Sequence, residues 1–170
     1  MRLLNQSDTE RAKATFQQVA ESSDPEAAAR AAFSLGKLLA GQGDLNGALA
    51  AWRQAADSNH PEIAPWAAGS LGDLLAQQGD IEGAQAAYQR AIDSNHPVVA
   101  PGAAASLGVL LAEQGDIEGA RAAYQRAIDS NEPEAAAWAA NNLRRLLDQQ
   151  RDSRDALPAP ARHRRWRRGG

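Results

Sequence analysis

Three histidines, His60, His96 and His163, are the side chains whose ordinary acidity suits proton transfer near neutral pH, and no cysteine accompanies them. The lack of cysteine excludes disulfides, thiolate nucleophiles and cysteine-held zinc, and it fits a reducing compartment. His60 and His96 stand 36 residues apart, each before a proline, and the two other copies of that position carry Asp24 and Glu132. A metal ligand or a general base is not exchanged so freely, because coordination and proton transfer depend on the identity and reach of the group. The glycines of Gly41-Gln42-Gly43-Asp44 are not followed by the glycine, lysine and serine or threonine of a phosphate-binding loop. Paired acids such as Asp80 and Glu82 suit a helix N-terminus, where they cap amides and oppose the dipole. These residue types predict no enzyme, no cofactor and no metal site. The chemistry left to consider is binding.

One binding candidate is a basic run, Arg162, His163, Arg164, Arg165, Trp166, Arg167 and Arg168. It belongs to a charge asymmetry: residues 1–150 carry 11 Lys/Arg against 19 Asp/Glu, a net −8, and residues 151–170 carry 7 Arg against 2 Asp, a net +5. Such a run could attract nucleic acid, an anionic membrane surface or an acidic protein; it could equally be solvated or fold back on its own acidic body. Nucleic acid is not the expected partner, since a nucleic-acid protein normally shows a basic patch on its folded body as well.

The elements that would position a site follow from composition and repetition. Hydrophobic residues make up 44% of the 170, yet aromatics only 5%, and alanine supplies much of the difference. Alanine with leucine suits closely packed helices and fills strands poorly. No run approaches the roughly 20 apolar residues of a membrane span, and residues 1–10 lack the apolar stretch of a secretory signal. The expected location is cytoplasmic.

Pro25, Pro61, Pro97 and Pro133 are 36 apart, as are Leu35, Leu71, Leu107 and Leu143. Residues 71–97 and 107–133 differ at 4 of 27 positions, which points to duplication. Each unit reads as two helices. Leu71, Leu74 and Leu75 share one face of a first helix, and Ile81, Ala84, Tyr88, Ala91 and Ile92 share one stripe of a second. Gly79 suits the left-handed residue that ends the first helix and Asp80 the N-cap of the next. Asn95 ends the second helix, and His96-Pro97 forces an extended step. Pro65 and Pro101 predict that the main first helix starts at those residues, with 61–64 and 97–100 as a separate turn. Where Ala29 and Ala137 replace these prolines, the helix is expected to run unbroken from Pro25 and Pro133.

The pattern Leu71-Gly72, Leu75, Gly79-Asp80, Ala84, Tyr88 and Ala91 resembles the tetratricopeptide repeat, with glycine 12 residues before the small alanine, 16 before the aromatic and 19 before the last alanine. Leu35, Gly36, Ala48, Trp52 and Ala55 match it one unit earlier, and Leu107, Gly108, Ala120, Tyr124 and Ala127 one unit later. The period of 36 exceeds the family's usual ~34, the two extra residues lying in the link between units. The resemblance implies an all-α fold, a right-handed α-α superhelix of antiparallel helix pairs. It implies that Gly36, Gly72 and Gly108 lie against Ala48, Ala84 and Ala120, with Trp52, Tyr88 and Tyr124 filling the space towards the next unit.

The expected organisation is a partial repeat of one second helix at 1–24, repeats at 25–60, 61–96 and 97–132, a capping helix at 133–153, and a disordered basic tail at 154–170. Arg144 replaces the repeat's glycine in the capping helix, which suits a solvent-facing end. By the resemblance, first helices line a concave face. Its candidate partner-binding residues are Arg30, Phe33 and Lys37; Trp66, Ser70 and Asp73; Ser106 and Val109; and Trp138, Asn141, Asn142 and Arg145. Small residues between Trp66 and Trp138 leave a groove for an extended peptide or an amphipathic helix, with the tryptophans as anchors. The carboxylate-clamping set of chaperone-binding members is not reproduced. Three readings stand: an interaction scaffold holding a protein or peptide in the groove, a homo-oligomer formed through the half-repeat ends, and electrostatic binding by the arginine-rich tail.

Overall fold

The computed structural model describes residues 6–155 as eight α-helices: α1 (Gln6–Ala20), α2 (Pro25–Gly41), α3 (Leu45–Asp57), α4 (Ile63–Gln78), α5 (Ile81–Asp93), α6 (Val99–Glu113), α7 (Ile117–Ile128) and α8 (Pro133–Asp155). No strand occurs among the described residues. The basic run at 162–168 lies outside them, as does the disordered reading of the tail from residue 156 onward.

Each helix packs against the next in sequence. In addition α2 touches α4, α4 touches α6 and α6 touches α8, whereas α1, α3, α5 and α7 make no such direct approach to one another. The even-numbered helices therefore form a close inner layer and the odd-numbered ones a spread outer layer. An array built this way is a curved solenoid whose concave side is lined by α2, α4, α6 and α8. Long side chains bridge the outer layer. Gln54 of α3 donates to the carbonyl of Ala20 at 2.8 Å, and one unit later Arg90 of α5 donates to the carbonyl of Ala56 at 2.6 Å and pairs with Asp57.

The approach of the two helices within a unit rests on glycine. A Cβ placed on Gly72 would stand 2.6 Å from the Tyr88 ring, and one on Gly108 would stand 2.6 Å from Tyr124; Gly36 meets Trp52 in the same way. The glycine surface is met by the aromatic ring of its own unit, so the ring closes the helix pair before it faces any neighbour. Ala48, Ala84, Ala120, Ala55, Ala91 and Ala127 are fully buried along the same seams, and no polar residue is buried among the described residues.

The helix ends repeat as regularly as the core. Gly43, Gly79 and Gly115 adopt φ of +83°, +81° and +78°, the left-handed turn that ends each first helix. Asp44, Asp80 and Asp116 then accept the amides of Gly47, Gly83 and Gly119 at 2.9–3.0 Å. In the link between units Ser58, Ser94 and Ser130 donate to the carbonyls of Ala55, Ala91 and Ala127 and accept the amide two residues on. Asn59 and Asn95 supply positive φ there, at 56° and 53°.

The interchangeable position before the proline also has a structural role. Asp24 accepts the amides of Glu26 and Ala27, and Glu132 those of Glu134 and Ala135. His60 Nδ1 accepts the amides of Glu62 and Ile63, and His96 Nδ1 those of Val98 and Val99, each at 3.2–3.3 Å. Aspartate, glutamate and histidine all provide an acceptor at this reach, so a helix cap tolerates their exchange. The helices also begin at Ile63 and Val99, two residues before Pro65 and Pro101, which corrects the expected starts. The prolines fall within the first turn, where amides have no helical partner to lose.

Two stability predictions follow from these contacts. Gly72→Ala and Gly108→Ala should each destabilise the protein by about 1–2 kcal/mol in urea unfolding, overpacking of ~1–3 kcal/mol being partly offset by a helix-propensity gain of up to ~1 kcal/mol. Gly102→Ala, whose added Cβ meets nothing within 4 Å, should instead stabilise; the same sign at all three sites would refute the glycine–aromatic account. His60→Ala should cost about 1 kcal/mol and His60→Asp should restore most of it, which thermal denaturation would check.

Candidate functional site

The concave side opens into a groove of about 440 Å³ across α4, α6 and α8. Its floor is made of small residues: Gly69 and Ser70 of α4, and Gly102, Ala103 and Ser106 of α6. Trp66 of α4 and Trp138 of α8 both line it, 43% and 46% exposed, where large apolar side chains are normally covered. Val98, half exposed at the start of α6, adds a third apolar element. Asp73, Glu132 and Glu134 are the charged residues of the lining, so the groove carries carboxylates and no Lys or Arg.

The geometry of Trp66 is supported from behind. The His96 ring meets it edge to face, centroids 5.9 Å apart and planes at 70°. His96 has its Nδ1 committed to the α6 amides, which leaves the Nε2 proton to donate to Glu62 at 3.2 Å. One nearly buried ring thus caps α6, ties to the preceding unit and braces the tryptophan.

Asp73 and Tyr88 form the polar centre of the groove. The Tyr88 ring lies on Gly72, and its hydroxyl emerges to donate to Asp73 at 2.8 Å. Solvent reaches Asp73, but the protein packed round its carboxyl removes enough water to push its pKa above the ordinary 3.8; the Tyr88 bond opposes the shift. Burial and the neighbouring carboxylate push the Tyr88 phenol well above its ordinary value. In the next unit Val109 takes the place of Asp73, and burial raises the Tyr124 phenol while Arg145 opposes it.

The structure brings together five of the residues proposed from sequence: Trp66, Ser70, Asp73, Ser106 and Trp138. Others of the proposed stripe stand apart. Arg30 is paired with Glu26 at 3.0 Å along α2, and Lys37 lies 5.8 Å over the Phe33 ring, at the N-terminal end of the array. Val109, Asn142 and Arg145 line a separate depression of about 290 Å³ with Glu113 and Tyr124. The Asn142 amide is engaged by its own helix, donating to the Trp138 carbonyl at 2.9 Å, and Asn141 accepts from Arg144 at 3.3 Å. Sequence reasoning missed Tyr88, Val98, Glu132 and Glu134. The available signal for Tyr88 was the Asp73/Val109 difference between otherwise near-identical units.

A family model described as tetratricopeptide repeat matches residues 1–64 and again 70–136. Among solved structures, that of BtubC (BKLC) from P. vanneervenii superposes with a TM-score of 0.63 at 15% identity, covering 92% of this chain and 77% of that one. MamA gives a TM-score of 0.53 at 19% identity, covering 91% of this chain and 99% of that one. Identities this low speak to the fold alone. No curated protein sequence matches the chain.

The Asp73 environment makes a prediction with a definite sign. Because its folded pKa is raised, the native state holds a proton that the unfolded state releases first. The associated stability is present below the ordinary carboxylate value and is lost as pH rises through the raised folded value. Asp73→Asn, which keeps an acceptor for Tyr88, should therefore gain on the parent as pH rises from 4 to 7 in a series of melting temperatures. A difference that stays constant with pH would show that Asp73 is not desolvated.

Proposed function

The chain belongs to the tetratricopeptide repeat family, and from that premise we propose that it is a peptide receptor, holding a short positively charged segment across the groove between Trp66 and Trp138. Repeats of this family typically build non-enzymatic interaction scaffolds. The observation that carries the finer reading is the pair of half-exposed tryptophans that line one groove with a small-residue floor. Tryptophan is enriched at binding hot spots because its large ring buries much apolar area with few rotors to freeze. The small floor lets a backbone or an apolar side chain approach. The acidic lining selects the charge of what approaches: a Lys or Arg side chain can lie over an indole face and reach a carboxylate.

Pairing of the array ends has less in its favour. The exposed Arg144 stands where the repeat's glycine receives an aromatic ring, so a helix from a second copy would find that seat filled.

A random-peptide display selection against the purified protein tests the reading. The enriched peptides are expected to share a basic residue beside an aromatic or aliphatic one. Enrichment should disappear with Trp66→Ala and Trp138→Ala together, while the far-ultraviolet circular dichroism stays that of the parent. Selection of the same peptides by the double variant would place binding elsewhere.

A further inference from the structure

We propose that the groove binds the chain's own segment 156–170 in the free protein, and that a stronger ligand displaces it. The inference rests on the groove being a peptide site and adds its regulation.

Charge is the first argument. Residues 6–155 carry 12 Lys/Arg against 21 Asp/Glu, a net −9, whereas residues 156–170 carry five Arg and no acid. Opposite charges joined in one chain attract without any loss of translational freedom, and the groove gathers Asp73, Glu132 and Glu134 with no Lys or Arg in its lining. The second argument is chemical fit. The segment Arg164-Arg165-Trp166-Arg167-Arg168 alternates planar cations with an indole. Guanidinium groups stack on tryptophan faces and bond carboxylates in a fork, and both partners are present in the groove. The exposed indoles of Trp66 and Trp138 and the half-exposed Val98 would lose water contact under such a segment.

The third argument is reach. α8 begins at the groove with Glu134 and Trp138 and ends at Asp155. At 1.5 Å per residue, Asp155 lies about 25 Å from Trp138 along the helix. The eleven residues from Asp155 to Trp166 can span about 36 Å when extended. Trp166 can thus return alongside α8 to the groove with several ångströms to spare. The neighbouring depression around Val109 holds one cation, Arg145, and one carboxylate, Glu113, so it offers no net negative charge, whereas the Trp66–Trp138 site offers three carboxylates.

The test uses the full chain in two forms, the parent and a tail variant with Arg162→Gln, Arg164→Gln, Arg165→Gln, Trp166→Ala, Arg167→Gln and Arg168→Gln. The probe is a fluorescein-labelled synthetic peptide of residues 156–170, followed by anisotropy at low and raised salt. The tail variant is expected to bind the peptide, more weakly as salt rises. The parent should bind it at least about tenfold more weakly, because its tethered copy competes at high effective concentration. Asp73→Asn with Glu134→Gln in the tail variant should weaken binding further while leaving helicity unchanged. Equal affinity of the two forms for the peptide would overturn the proposal. So would absence of binding to the tail variant, and if that variant still selected other peptides through Trp66 and Trp138 the groove reading would survive alone. Peptide binding that persists after Trp66→Ala and Trp138→Ala would overturn both. A parent that is dimeric by light scattering, and monomeric once the tail is neutralised, would place the segment in a neighbour's groove and overturn the intramolecular arrangement.

Discussion

The contact on which this structure depends is that of an aromatic ring on a glycine. Tyr88 on Gly72, Tyr124 on Gly108 and Trp52 on Gly36 set how closely the two helices of each unit approach. That distance is what makes an alanine-rich core workable. Alanine buries little area, so alanine seams stabilise a fold only when the backbones come near enough for methyl groups to touch both sides. Once the pairs are closed, the remaining bulk of leucine and isoleucine fills the space between them, and stacking of near-copies makes one continuous core from units that could not fold alone. The hierarchy also explains why no polar or charged residue is buried among the described residues. Trp52 Nε1 is the one buried side-chain polar atom left without a partner among the described residues. The tyrosines in the later units avoid that cost by sending a hydroxyl out towards the concave side.

Curvature turns this repetition into a site. Inner helices touch one another and outer helices do not, so side chains on the inner layer converge while the core seams stay the same in each unit. The groove gets its asymmetry from places where the copies disagree, while Ser70 and Ser106 repeat in its floor. Trp66, Gly102 and Trp138 occupy one register position, and Asp73 and Val109 another. A bulky, small, bulky sequence along the inner layer produces two walls and a floor.

Much of the fold was legible in the sequence because its determinants are local and recur. The glycine stops, the aspartate caps and the apolar spacing each depend on neighbours within a few residues, and a period of 36 makes the stops and caps visible three times each. The helix starts at Ile63 and Val99 were misplaced by two residues because proline has no cost anywhere in the first turn, so Pro65 marks a range and not a boundary. The site was legible in part. Trp66, Ser70, Asp73, Ser106 and Trp138 followed from the inward register, but the same register gave no sign that Arg30, Phe33 and Lys37 would be separated from them, or that Val109 and Arg145 would face a different depression. Tyr88 was read as core because its ring is core; only the position of its hydroxyl, set by the depth of Gly72, reveals the second role. Glu132 reaches the groove through the link between units, which no helical periodicity describes.

The position before the link proline shows how one physical requirement can look like several chemistries. Asp24, His60, His96 and Glu132 share an acceptor directed at the amides of the following helix. As catalytic groups they would be unrelated, and as caps they are equivalent. Yet equivalence in capping leaves each free to differ in what its remaining atoms do. His96 has a second nitrogen and a ring face, and it uses them to reach Glu62 and to brace Trp66. Glu132 has a second charge site and brings it to the groove lining. A position held constant by backbone need can therefore contribute binding character through its side chain without disturbing the fold, which is how a duplicated array acquires one asymmetric site from nearly symmetric parts.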